Sequence, residues 1–112
     1  MTLSERQRKF TRMLAELIVW AYDNGFEIAM GEVYRTPEQA ALNAQKGSGI
    51  AKSLHTKCLA ADLNLFKNGV YLTETSDHEP LGVYWESLGG SWGGRFSKPD
   101  GNHYSLEWEG VR

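Results

Sequence analysis

With Cys58 as its only cysteine, the chain cannot form an intrachain disulfide and has to fold without a covalent staple. No block of lysine and arginine interrupts its near-neutral balance, a formal net charge of -2. That excludes a dedicated nucleic-acid binder, whose affinity comes largely from neutralising phosphates. Long apolar runs are also missing. The opening residues Met1 to Arg8 are polar and charged, and Arg12 and Glu16 break the apolar positions that follow, which reads as neither a signal peptide nor a membrane span. The expectation is a protein made in the cytoplasm, with no stable membrane association. Internal repeats, low-complexity tracts and long linkers are absent too, so the 112 residues read as a single domain, residues 1–112, large enough to bury one core.

Regular elements are legible along most of the chain. Ser4 and Gln7 have capping-box spacing, and Phe10, Met13, Leu14, Leu17, Ile18 and Ala21 recur at helical intervals, predicting an amphipathic helix that stops near Asn24-Gly25. Phe26, Ile28 and Met30 then alternate with Glu27, Ala29 and Gly31 as in a half-buried strand, which delivers Arg35 at its end. Thr36-Pro37-Glu38-Gln39 starts a short Ala-rich helix that ends near Lys46-Gly47-Ser48-Gly49, a flexible stretch able to close over a ligand. Residues 60 to 66 read as a strand, Asn68-Gly69 as a two-residue hairpin turn and Val70-Tyr71-Leu72 as the returning strand. A third helix runs from about Asp77 to Leu88, with Leu81, Tyr84, Trp85 and Leu88 on one face, and a last strand carries Tyr104, Leu106 and Trp108 inward. The order predicts an α+β fold: an antiparallel sheet with helices packed against it.

The residues with chemistry in them are Ser53-Leu54-His55, Asp62 and Asp100-Gly101-Asn102-His103. Two imidazoles and one carboxylate make a three-ligand set, which leaves zinc a fourth position for water, and one further carboxylate is left over for proton transfer. Strand parity permits the grouping. Asp62 shares a face with Asn64, His103 shares one with Ser105 and Glu107, and the six residues between His55 and Asp62 are enough chain to fold back.

Other conspicuous residues favour structural roles. Cys58 reads as a small buried hydrophobe rather than a soft ligand, and His78, between Asp77 and Glu79, as a solvated surface residue. Trp85 and Trp108 fall on core faces, while Trp92, in the Gly-rich stretch before Asp100, is expected to wall a substrate groove. That stretch lacks the Lys-Ser/Thr ending of a phosphate-binding loop, so ATP is not implied.

Three ordered blocks carry a family resemblance: Tyr34-Arg35-Thr36-Pro37-Glu38-Gln39, then Ser53-Leu-His55 with Asp62, then Trp92-Gly-Gly-Arg-Phe with Asp100 and His103. Over about residues 25 to 108 the chain resembles the D-alanyl-D-alanine carboxypeptidase family of zinc peptidases, which includes the L-alanyl-D-glutamate endopeptidases used as bacteriophage endolysins. The resemblance implies the hedgehog/DD-peptidase fold and a Zn2+ cofactor held by His55, Asp62 and His103. It implies Asp100 as the general base, Arg35 as a substrate-binding and charge-stabilising residue, and Ser53 as a residue near the substrate. The implied partners are peptidoglycan stem peptides, with the chain acting as a monomer on the cell wall after release through a phage-encoded pore. An aspartate at position 100, where the family also uses glutamate, is similar to the endolysin branch and tilts the choice toward an endopeptidase. A D-alanyl-D-alanine carboxypeptidase and a catalytically silent wall-binding or phage structural module are the alternatives.

Overall fold

The computed structural model describes residues 1–47 and 52–112. The expected closing stretch lies partly in residues 48–51, outside the described residues. The first helix, α1 (Leu3–Asp23), starts two residues earlier than the Ser4/Gln7 pattern predicts. Thr2 and Glu5 satisfy the same capping-box spacing two residues upstream: Thr2 Oγ1 accepts from the Glu5 amide at 3.1 Å, and the Thr2 amide donates to Glu5 Oε1 at 2.9 Å. Gln7 is thereby free to donate through Nε2 to the Lys57 carbonyl at 2.7 Å, tying the helix to the turn that carries His55. The buried stripe is Phe10, Met13, Leu17 and Ala21.

After Asn24-Gly25 the chain enters β1 (Glu27–Met30), which runs antiparallel to β2 (Ala60–Lys67). Phe26 and Ile28 pack inward as expected, whereas Met30, at the end of this edge strand, is half exposed. The chain beyond β1 keeps following β2, with the Gly31 amide on the Asp62 carbonyl and the Asp62 amide on the Glu32 carbonyl, both at 2.8 Å. Only glycine fits at position 31, because a Cβ there would lie 2.7 Å from the Asp62 carbonyl oxygen.

Helix α2 (Pro37–Gln45) begins as predicted, with Thr36 Oγ1 accepting from the Gln39 amide at 3.1 Å. The Gln39 side chain turns forward to Asn43 instead of back to the cap. Strand β2 turns through Asn68 and Gly69, both at positive φ (53° and 76°), into β3 (Val70–Leu72), the geometry of a two-residue hairpin turn. A 3₁₀ turn at Thr75–His78 takes the place predicted for the first turn of the third helix, so α3 spans Glu79–Ser87, with Pro80 in its opening turn. Short strands β4 (Ser91–Trp92) and β5 (His103–Ser105) complete an antiparallel sheet of order β1-β2-β5-β4, with β3 also on β2.

Strand β5 is shorter than the alternation through Trp108 predicts. Its partner β2 begins at Ala60, opposite Ser105, and after the Leu106 amide bonds the Leu59 carbonyl the chain has no strand left to pair with. Trp108 pairs locally with Val111. The core joins the α1 stripe to Leu63, Leu65, Leu81, Trp85, Tyr104 and Leu106, with Phe10 and Trp85 in edge-to-face contact at 5.7 Å. No helix among the described residues is long and apolar enough to cross a membrane.

Candidate metal centre and active site

His55 sits in a 3₁₀ turn, Leu54–Lys57, pinned by the buried Leu54 and closed by the Leu59 amide on the Leu54 carbonyl at 3.0 Å. Ser53 caps it, its buried hydroxyl accepting from the His55 amide at 3.2 Å. His55 Nδ1 lies 3.1 Å from the Val33 carbonyl, which can only accept, so Nδ1 carries the proton and the Nε2 lone pair is left facing Asp62 Oδ1 at 3.3 Å. A backbone carbonyl fixing the outer nitrogen is how metal-ligating histidines are usually oriented.

Asp62 and His103 are register partners across β2 and β5, so their side chains leave the same face of the sheet. His103 Nδ1 lies 3.7 Å from Asp62 Oδ1, and the two imidazole rings meet edge to face at 5.4 Å. One donor atom from each of His55, Asp62 and His103 lies within 4.8 Å of the other two. Asp62 Oδ1 and His103 Nε2 are buried without a hydrogen-bond partner, a costly state for polar atoms. Burial pushes the Asp62 carboxyl up, but the pull of the His103 and His55 imidazoles beside it outweighs that and holds it well below the usual carboxylate range. Burial pulls His55 down, and the adjacent Asp62 carboxylate overcomes it and leaves the imidazole raised. An anionic oxygen and two converging imidazoles fit Zn2+, with room for a fourth ligand.

Asp100 stands on an exposed turn just before β5. Its amide bonds the Gly93 carbonyl at 2.9 Å and its carbonyl accepts from the His103 amide at 3.1 Å, so base candidate and ligand candidate share one turn. Gly93 permits this approach, since a Cβ there would fall 2.1 Å from the Asp100 carbonyl oxygen. Loss of water around the Asp100 carboxyl pushes its pKa up, His103 pulls it down and the charge of Asp62 adds to the rise, for a net upward shift. Arg35 lies within electrostatic reach of both Asp100 and His55, and its amide bonds the His55 carbonyl at 3.1 Å.

Glu32 belongs to the site although nothing in the sequence reading singles it out. Its Oε1 accepts from Arg35 Nε at 2.9 Å and from Arg35 Nη2, and lies 3.8 Å from His55 Nδ1. The available signal was a Glu-x-x-Arg spacing, which has meaning on a helix face but none in the irregular stretch these residues occupy.

Two expectations are overturned. Trp92 is buried rather than a groove wall: its ring lies between Gly82 and Gly94, and its Nε1 donates to the Gly101 carbonyl at 2.8 Å. It shapes the site from behind by fixing the turn that carries Asp100. His78 is buried rather than solvated, with Nδ1 2.7 Å from the Tyr104 hydroxyl. Cys58 is half-buried and lies outside the donor cluster.

A family model described as D-alanyl-D-alanine carboxypeptidase matches residues 46–106. The fold is similar to that of the Serratia marcescens L-Ala D-Glu endopeptidase ChiX, at TM-score 0.73 and 20% identity over 93% of this chain and 85% of that one. It is also similar to the D,D-pentapeptidase VanY of a VanB-type vancomycin-resistance cassette, solved with Zn(II), at TM-score 0.59 and 18% identity over 87% of this chain and 70% of that one. No curated protein sequence matches at a significant level.

Proposed function

The chain belongs to the D-alanyl-D-alanine carboxypeptidase family of zinc peptidases acting on peptidoglycan, and from that premise we propose an L-alanyl-D-glutamate endopeptidase that serves as a phage or prophage endolysin. The observation that carries the reading is the convergence of His55, Asp62 and His103 beside the turn of Asp100. In this proposal the three converging residues are the Zn2+ ligands. Zinc bound there supplies Lewis-acid polarisation of the scissile carbonyl and a water whose pKa is lowered toward about 7.

The chain's own residues do the rest. Asp100, next to the donor cluster but not part of it, takes the proton of the attacking water and passes it to the departing amine. Arg35, held by Glu32 through Nε and Nη2, keeps Nη1 for a substrate carboxylate or the developing oxyanion. Ser53 holds the backbone of His55 and stands near the substrate. Residues 1–112 act as one catalytic domain and as a monomer.

The similarity to the endopeptidase ChiX over most of both chains supports the endopeptidase assignment. The description of the matching family model supports a second reading, removal of a terminal D-alanine. Mass spectrometry of digests of defined muropeptides decides between them. Cleavage between L-alanine and D-glutamate is the expected result, and release of free D-alanine alone contradicts it.

A further inference from the structure

Beside Asp100 a mostly polar cleft of about 250 Å³ opens between the Thr75–His78 turn and the turn before β5. Thr73, Thr75 and Asn102 line it, Asp100 forms one side, and His78, only 3% exposed, reaches it from the core. The state of His78 follows from its one side-chain hydrogen-bond partner among the described residues, Tyr104. Tyr104 is fully buried, and its hydroxyl, like any ordinary phenol, keeps its proton at neutral pH. Among the described residues the Tyr104 hydroxyl has one hydrogen-bonding neighbour, His78 Nδ1 at 2.7 Å. If the imidazole donated, the buried phenol proton would be left without an acceptor, so the hydroxyl donates and His78 carries its own proton on Nε2. Burial also pushes the His78 pKa down, which keeps the ring neutral. The Nε2–H makes no hydrogen bond with the described residues, and His78 lines the cleft.

We propose that this cleft is a substrate subsite that takes an uncharged amide of the stem peptide, its carbonyl oxygen accepting from His78 Nε2–H. The reading rests on the proposed peptidase function, because Asp100 is the wall shared with the chemistry. A carbonyl oxygen matches a lone N–H donor, and the hydroxyls of Thr73 and Thr75 can pair with an amide N–H beside it. A carboxylate is disfavoured. Among the described residues no lysine or arginine lines the cleft, Asp100 lines it, and Asp77, on the same turn as His78, adds a second negative charge nearby.

The test uses zinc-loaded Asp100→Asn protein labelled with 15N at histidine and titrated with a synthetic stem tetrapeptide. The His78 ring resonances should move with saturation, and adding Thr75→Val should weaken the Kd about fivefold, the loss of one modest hydrogen bond, with zinc content unchanged. On the parental protein, acetamide should move the same resonances and acetate should not. Peptide binding that shifts other resonances, leaves His78 still and is indifferent to Thr75→Val overturns the subsite while leaving the peptidase reading standing. Acetate acting as strongly as acetamide overturns the assignment to an uncharged group. A peptide that binds nowhere on the zinc-loaded protein overturns both readings.

Discussion

Cys58 adopts left-handed backbone angles, φ 54° and ψ 39°, directly after the turn that carries His55. A β-carbon in that region costs roughly 1–2 kcal/mol, partly offset in glycine by the greater entropy of its unfolded chain. Cys58→Gly should therefore stabilise the protein by about 0.5–1 kcal/mol in urea unfolding, and a destabilised variant would show that the thiol packs more than it strains. His78 gives a pH prediction of definite sign. Its folded pKa is lowered from 6.5, so the unfolded chain binds its proton first. The contribution of His78 is complete above that pH and is lost as pH falls below it, and Asp77 beside it and Asp100 across the cleft soften the loss. The thermal midpoint should drop more between pH 7.5 and 5.5 in the parent than in His78→Gln; equal drops would refute a buried neutral His78. The local sequence misleads at this position for a physical reason. Asp77 and Glu79 make its local window polar, while the contact that buries it comes from Tyr104, 26 positions away.

Elements were read best where the signal is local. The 3.6-residue apolar period of α1, the Thr36-Pro37 start of α2 and the Asn68-Gly69 turn each act within a few residues, and each appears where expected. Parity placed Asp62 and His103 on compatible faces, but their direct pairing depends on which strands neighbour one another, and no single strand carries that information. The length of β5 is set in the same way by where β2 begins. Trp92 shows the consequence for the site: a tryptophan in a Gly-rich stretch reads as exposed, yet Gly82 of α3 and Gly94 leave the space that its ring fills. Trp92→Phe keeps most of that packing and removes the bond to the Gly101 carbonyl, worth about 1 kcal/mol. Its kcat should fall about fivefold, with zinc content and KM little changed, if that bond positions Asp100. An unchanged kcat would confine Trp92 to packing.

At the scale of the whole molecule, the centre joins segments far apart in the chain. The 3₁₀ turn supplies His55, β2 supplies Asp62, β5 supplies His103, and the stretch after β1 brings Val33, Glu32 and Arg35 against them. The ligand candidates and Asp100 were legible because their spacings form ordered blocks. Glu32 was not, since its importance comes only from the folded position of Arg35 and His55. Because the donors belong to different elements, metal binding is linked to folding: a ligand present at 100 times its Kd stabilises by about 2.7 kcal/mol. Chelation should lower the thermal midpoint and abolish hydrolysis, with both restored by stoichiometric zinc; a midpoint indifferent to chelator would argue against a centre shared among these elements. The most direct measurement of the central claim is zinc content together with sacculus digestion for Asp100→Asn and His103→Ala. Asp100→Asn should keep about one zinc per chain and lose at least about 100-fold in rate, while His103→Ala should lose the metal and the activity together. Digestion at the parental rate by zinc-loaded Asp100→Asn would contradict the division between the residues that hold the metal and the one that moves the proton.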